Sequence, residues 1–538
     1  MAENSSYYED AIDIGGNSEM NSAPEFLPSD RPLTTTESVV LLISVLIVGF
    51  CTILYELLIG SVSSYFLGDS VKQFSIVIGL TMTGLGLGSL LSRLFHQRLI
   101  YWFVIIEIAL AIVGGLSVPI LYYVYLIKWA YYSVMCILIL SIGALIGLEI
   151  PLLTRVMESR CQLKDNISNV LSLDYLGAFL ATFAFPFVLL PLCGLFNTSA
   201  LAGLMNLVVG VLNYWQFRKL DSFSRPARLT TGAALTFVLL MGTLVFSAEL
   251  KRNWENLIFQ DKVILSVESP YQRIVLTRKN ADLRMFIDGN VQFSSVDEHR
   301  YHELLIHIPM SLAPHRESIL VLGGGDGLAL REIFKYQDVK EVTLVDLDKA
   351  ITDLAKDNPL LRDLNGGSMS DKRVNIINDD AYKYIETTEK TFDLIVIDLP
   401  DPNNASLARM YSWEFYRRVR SRLNRTGIVV AQATSPFFSP NAFWCIQESL
   451  KKAGFPNTYL YHGYVPSFGD WGFALTANIP YDIKTIRIDV PTKYLDNQTA
   501  QKAFVLEKDV IRENILPSSL DRPEILQYYI SDWEKWGL

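Results

Sequence analysis

Cysteine is scarce: five residues in 538, with no Cys-x-x-Cys pair and no histidine nearby, which argues against a disulfide framework or a zinc site. No other metal site is expected. Positive charge is short too. Forty-seven Lys and Arg face 56 Asp and Glu, and a net charge of −9 speaks against a nucleic-acid partner, which needs a basic face. Only 19% of residues are charged and 50% are apolar, too greasy for one soluble enzyme. The amino terminus lacks the basic start and short apolar core of a cleaved signal peptide. Residues 1–37 are polar and acidic and read as a disordered tail.

Long apolar runs are plentiful between Ser38 and Phe246. A helix needs roughly 20 apolar residues to cross hydrocarbon. Seven candidates occur at about 38–60, 73–92, 99–127, 129–153, 169–193, 198–217 and 229–247. The expectation is a multi-pass α-helical membrane domain over 38–250, with the lipid bilayer as partner. Glu56, Glu107, Glu149 and Asp174 lie inside these runs, where an ionisable group costs at least ~2.5 kcal/mol and usually faces a partner or cavity. The run "GLTMTGLGLGSLL", with Gly84 and Gly88, predicts close helix packing.

Arg93, Arg98, Arg155, Arg160, Lys164, Arg218, Lys219, Arg225 and Arg228 all fall in loops on the amino-terminal side. The positive-inside rule therefore places the amino terminus in the cytoplasm, and an odd number of spans puts the remainder outside.

The β-branched stretch 253–317 carries turn signals at "RKNAD" and "DGN" and predicts a small β subdomain. From Ser318 to about 480, apolar runs alternate with helical stretches, which predicts an α/β Rossmann-like domain with a mainly parallel sheet. Residues 481–538 form an extension ending in an amphipathic helix near "PEILQYYISDWEKW".

Ligands of such sheets bind beyond the carboxyl ends of the strands. Asp326, Asp346, Asp379, Asp398 and Asp401 gather there, and like charges at one rim call for a cationic partner. Asp346 lies 19 residues beyond Gly327, close to the spacing of an acid that grips ribose hydroxyls. Asp326 sits inside the glycine turn "LGGGDG" (Gly323, Gly325 and Gly327), where it would repel a pyrophosphate. A nucleoside bearing a sulfonium, S-adenosylmethionine or its decarboxylated form, meets both demands. In "DLPDP", Pro400 and Pro402 stiffen the turn that carries Asp398 and Asp401, a pair suited to receive a proton from an attacking amine and to orient it.

Together "LGGGDG", "IDG..Q" (Asp288, Gly289, Gln292), "DEHRYHE" (Asp297 to Glu303) and "DLPDP" resemble the polyamine aminopropyltransferases, the spermidine synthase family, over about residues 265–475. The whole chain is similar to the membrane-fused bacterial members, which implies a bacterial inner membrane, and the cytosolic origin of the family's donor puts the expected catalytic part on the cytoplasmic face, against the loop charges. The resemblance implies the class I S-adenosylmethionine-dependent transferase fold and transfer of an aminopropyl group from decarboxylated S-adenosylmethionine, a co-substrate, to a polyamine. Putrescine is the expected acceptor and methylthioadenosine the by-product. No bound prosthetic group is implied, and a homodimer is. By matching position, Gln272 and Asp346 would contact the nucleoside, Asp379 the adenine, and Asp326 the aminopropyl end. Tyr301 and His302 would line the amine channel, Asp398 would act as acid/base, and Asp401 would hold the amine.

This chain departs from the family in places. Asp380 stands where glycine is frequent in the adenine pocket, and "DPNNAS" replaces a gate segment that usually carries Gly-Pro. Tyr464, Asp470 and Trp471 in "GYVPSFGDWGFAL" are placed to shape the acceptor pocket. Two other readings stay open at this point. A methyltransferase would use the same sulfonium but must accommodate a methionine carboxylate, which Asp326 opposes. A polyamine transporter or sensor would bind without turnover.

Overall fold

Thr34 opens the first helix with a capping box. Its hydroxyl accepts from the Glu37 amide at 3.3 Å, and the Glu37 carboxylate accepts from the Thr34 amide at 2.8 Å. The helix therefore starts inside the stretch expected to be tail. The computed structural model describes residues 34–68, 70–158, 163–218, 226–259 and 261–536, so the rest of the expected tail lies outside the described residues.

The bundle comprises α1 (Thr35–Leu67), α2 (Ser70–Leu91), α3 (Leu99–Gly115), α4 (Ser117–Tyr125), α5 (Lys128–Glu158), α6 (Leu163–Ala184), α7 (Leu190–Phe217), α8 (Pro226–Val245) and α9 (Ser247–Ile258). Among the described residues six helical runs are long and apolar enough to cross a membrane. The fifth, Ser168–Phe217, joins two of the spans expected from sequence into 50 residues. A straight helix of that length would extend ~75 Å. Yet Val170 and Phe217, near its two ends, share one apolar cluster with Leu41 and Val45 of α1. The run therefore doubles back, and Gly194 is where it breaks, with non-helical φ 69° and ψ 176°. Six runs with one counted twice make seven passes of the bundle. The glycine stripe of α2 does pack closely: a Cβ on Gly88 would lie 2.1 Å from the Ala144 carbonyl of α5.

The α/β part sits at the end of the bundle where α1 finishes. Trp254 of α9 packs on Phe66 and Tyr122 and donates its indole N–H to the Tyr122 carbonyl at 2.6 Å. Arg273 pairs with buried Glu255, tying the first sheet to α9. That sheet is antiparallel, in the order β1 (Lys262–Glu268), β2 (Arg273–Lys279), β3 (Asp282–Ile287), β4 (Asn290–Ser294). The expected turns are present, with Asn280, Asp288 and Gly289 at positive φ.

After α10 (Glu298–Leu312) comes a seven-stranded sheet built from β5 (Ser318–Gly323), β6 (Glu341–Asp346), β7 (Val374–Asn378), β8 (Phe392–Asp398), β9 (Leu423–Gln432), β10 (Asn457–Val465) and β11 (Gly469–Ala477). Its order is β10-β11-β9-β8-β5-β6-β7. The five strands read from sequence pair in parallel, and β10 and β11 add an antiparallel hairpin. Successive residues of β5 feed different cores. Ile319 and Val321 join the α10 side, while Leu320 and Leu322 join the helix Pro440–Lys452 side. Burial on both faces explains why these strands are continuously apolar.

Candidate active site

The rim beyond β5, β6 and β8 is built around missing Cβ atoms. Gly323 has φ 82°, and a Cβ there would fall 2.0 Å from the Asp398 carbonyl. That approach lets the Gly324 amide donate to the Asp398 carbonyl at 3.1 Å. Gly325 does the same for Asp346: its amide donates to Oδ2 at 3.0 Å, while the Asp348 amide donates to Oδ1 at 2.9 Å. Burial nevertheless pushes the Asp346 carboxyl up to about 6. Asp326 accepts from the Leu328 amide at 2.9 Å where Gly327, at φ 78°, starts α11 (Leu328–Ile333). Burial raises Asp326 as well, against the pull of His302.

The "DEHRYHE" segment opens α10, and four of its residues each fasten something different. Asp297 accepts from the Ser467 amide at 2.6 Å and hydroxyl at 2.9 Å, holding the β10–β11 turn. Glu303 accepts three backbone amides, from Lys493, Tyr494 and Leu495, and so anchors the C-terminal extension. Tyr301 donates its hydroxyl to Asp398 Oδ1 at 2.6 Å. Glu298 sits between His302 Nδ1, at 2.9 Å, and both terminal nitrogens of Arg331, at 2.9 and 2.8 Å. Burial alone would raise Glu298, but these two cations outweigh it and hold the carboxyl near 2. Burial alone would lower His302. Glu298 lifts it to about 9, with Asp326 and Asp398 adding to the effect, so the imidazole is cationic at neutral pH.

Asp398 and Asp401 both stand at about 6, chiefly through burial. For Asp398 the negative charge of Asp326 adds to burial, while His302 and the Tyr301 hydroxyl oppose it. Asp401 accepts the Tyr529 hydroxyl at 2.9 Å and the Gln432 amide at 3.2 Å. Gln432 also donates to the Leu399 carbonyl at 2.9 Å and meets Tyr411, whose hydroxyl reaches the Pro400 carbonyl at 2.9 Å. Three side chains thus clamp the Asp-Leu-Pro-Asp turn. Beyond it, the loop at Asn403 lies against Gly68 at the α1–α2 turn.

The structure brings Tyr301, His302, Asp326, Asp346, Asp398 and Asp401 to one rim. Gln272 is tied to the Asp346–Asp348 end of the rim through its turn, since its amide donates to the Ser269 hydroxyl at 3.0 Å and that hydroxyl donates to Asp348 at 2.7 Å. Trp471 packs on Phe468, which in turn contacts Tyr301, and its indole N–H is buried without a partner. Neighbours along a strand face opposite ways, so Asp470 and its cross-strand partner Tyr464 lie on the other face of the hairpin. Asp470 there pairs with His462 at 2.7 Å, and Tyr464 is exposed. Asp379 is engaged by Lys383 at 3.2 Å. Asp380 caps the helix Ala381–Thr387 and pairs with Arg409, so both its oxygens are committed.

Gln432, Tyr411, Tyr529, Glu298 and Arg331 escaped the sequence reading. Gln432 left a signal, as the one amide ending the apolar strand "GIVVAQ". Tyr529 left none, because 128 residues separate it from Asp401.

Residues 298–484 match the family model described as the spermine/spermidine synthase domain. A polyamine aminopropyltransferase of Leptospira interrogans is 39% identical over 92% of this chain and 99% of its own length. Another of Ralstonia nicotianae is 40% identical over 92% of this chain and 98% of its own. One of Oceanobacillus iheyensis is 40% identical over 91% and 96%. Among solved structures, a spermidine synthase of Thermotoga maritima aligns with 46% of this chain and 86% of its own, at 28% identity and a TM-score of 0.43. The relatives that align along nearly the whole chain decide the assignment: the chain belongs to the polyamine aminopropyltransferases, the spermidine synthase family, and is an enzyme of that kind whose co-substrate is decarboxylated S-adenosylmethionine.

Proposed function

We propose that the enzyme moves the aminopropyl group from decarboxylated S-adenosylmethionine to putrescine, releasing methylthioadenosine. The observation that carries this reading is the convergence of Asp326, Asp346, Asp398 and Asp401 on one buried rim. Such a rim suits two cations, a sulfonium nucleoside and an amine. Asp346 would grip the ribose, Asp326 the aminopropyl ammonium, and Asp401 the far end of the acceptor. The acceptor nitrogen attacks the carbon next to sulfur, the C–S bond breaks, and sulfur leaves as a neutral thioether. The nitrogen must shed a proton, and an alkylammonium has a pKa near ~10.4. Asp398 receives that proton as the bond forms and passes it on, while Tyr301 keeps its carboxylate oriented. Incubation of purified protein with both substrates should yield methylthioadenosine and spermidine in equal amounts. Methyl transfer, or binding without either product, would refute the reading.

The pH dependence follows from the same carboxylates. Asp398 works as its anion, so kcat/KM should drop about 10-fold between pH 7 and pH 5 as it protonates through about 6. Stability should move the other way. An aspartate raised from ~3.9 unfolded to about 6 folded opposes folding when ionised, and that burden is relieved as pH falls through this window. Glu298, held near 2, gives up its contribution only at lower pH. The melting temperature at pH 5 should therefore be no lower than at pH 7 while activity has largely gone. Parallel loss of both would show that Asp398 is not the titrating group.

We propose further that the bundle is inserted in a bacterial inner membrane, with the catalytic part on the cytoplasmic side where the donor is made. The seven passes and the loop arginines support the opposite side, so the choice rests on donor supply. Protease digestion of the catalytic part in unlysed spheroplasts would overturn it.

A further inference from the structure

The bundle holds an acidic group that the transfer reaction does not use. Glu107 of α3 and Glu149 of α5 are both fully buried. Their carboxyl groups lie within hydrogen-bonding reach of one another. Glu107 is fixed by a relay: the Tyr55 hydroxyl of α1 donates to Asn206 Oδ1 at 2.6 Å, and the Asn206 amide donates to Glu107 Oε2 at 2.8 Å. Three oxygens are left over, Glu107 Oε1 and both oxygens of Glu149, each buried with no hydrogen-bond donor. Among the described residues no lysine, arginine or histidine pairs with either acid. The arginine nearest in sequence, Arg155, spends its guanidinium on the carbonyls of Pro151, Phe95 and Ser92. Asp174 of α6 adds a third carboxylate near enough to Glu149 to interact with it electrostatically, and it is only half-buried.

Two facing carboxyl groups in an apolar interior cannot both ionise unless something positive sits between them. Core helices do not need such a pair, and the Tyr55–Asn206 relay holds Glu107 in place as though a ligand is to be met. We propose that Glu107 and Glu149 bind a primary ammonium group inside the bundle, a second amine site separate from the catalytic rim. A primary ammonium offers three N–H donors, and even with one proton retained between the two acids the buried carboxyl oxygens keep lone pairs free to accept them. That arrangement leaves one negative charge, which the ammonium neutralises. In a diamine the far ammonium is met by Asp174 at the half-buried flank. Taking a polyamine as the amine rests on the proposed acceptor, whereas the ammonium chemistry rests on the bundle alone.

The test is equilibrium binding of labelled putrescine to the full chain in lipid nanodiscs, with aminopropyl transfer measured on the same samples. Wild type should show a second class of bound putrescine beyond the catalytic one. Glu149→Gln and Glu107→Gln should each weaken that class by roughly 30-fold or more, the cost of removing one partner from a buried charge pair, with kcat unchanged. Bound putrescine that responds to Glu149→Gln without any transfer by wild type would uphold this site and refute the proposed acceptor. Bound putrescine of which no class responds to Glu149→Gln, or displacement by sodium ions instead of amines, would overturn the site. Because a charge-neutral variant can misfold, an infrared difference spectrum of wild type provides a second measurement. Putrescine should convert a protonated carboxyl signal to carboxylate, and no such change would also overturn the proposal.

Discussion

Asp398→Asn should reduce kcat by about 10²- to 10⁴-fold, the range expected when a positioned general base is removed. The substitution keeps the size of the side chain and leaves an oxygen for the Tyr301 hydroxyl. It removes only the ability to take up a proton at the point where the acceptor nitrogen must lose one. The fold should not suffer. The carboxyl is raised to about 6 by burial and by Asp326, so its anion opposes folding at neutral pH, and a neutral amide lifts that burden. The expected result is an enzyme that melts no lower than wild type, binds donor normally and turns over hardly at all. Asp401→Asn separates the two proposed roles, because in the proposed mechanism its carboxylate holds the amine and does not take the proton. It should raise KM for the acceptor far more than it lowers kcat. If Asp398→Asn retains more than about a tenth of wild-type kcat, Asp398 is not the proton acceptor.

The rim was legible in the sequence to the extent that chemistry follows chain position. Asp326, Asp346 and Asp398 end or follow parallel strands, so strand assignment alone brought them together. Tyr301 and His302 came from the family motif, and the structure gives that motif physical content, since Asp297 and Glu303 in it are anchors for distant segments. Tyr464, Asp470 and Trp471 were grouped because they are close in sequence. A strand alternates, however, and only Trp471 faces Tyr301 across Phe468. Asp380 illustrates the same limit. Its type and position suited a ligand contact, but a helix start immediately follows and the carboxylate serves as its cap. The doubling back at Gly194 was foreseen as two spans, although nothing in "PLCGLFN" distinguishes a reversal from a kink. Contacts made by Val170 and Phe217 decide that, and such contacts depend on helices distant in sequence.

Gly323→Ala should abolish activity and destabilise the protein by about 2–5 kcal/mol, and the reason can be divided in two. A residue with a Cβ pays ~1–2 kcal/mol to hold a left-handed backbone. Overpacking a tight contact adds roughly 1–3 kcal/mol. Gly323 meets both conditions: its φ is 82°, and the new Cβ would stand 2.0 Å from the Asp398 carbonyl, which is backbone and cannot swing aside. Gly289 separates the contributions. Its φ is 83°, yet nothing lies within 4 Å of where its Cβ would be. Gly289→Ala should therefore lose only the conformational part and keep most activity, since that turn is far less crowded. The difference between the two variants in denaturant unfolding measures the cost of pressing the glycine turn against Asp398. Relief can come only by moving β5 away from the end of β8, and that movement carries Asp326, which follows β5, away from Asp398. Activity should accordingly fall in Gly323→Ala even at temperatures where the variant remains folded. Equal destabilisation of the two variants, with activity intact in both, would mean that the close approach of β5 to Asp398 does not set the catalytic geometry.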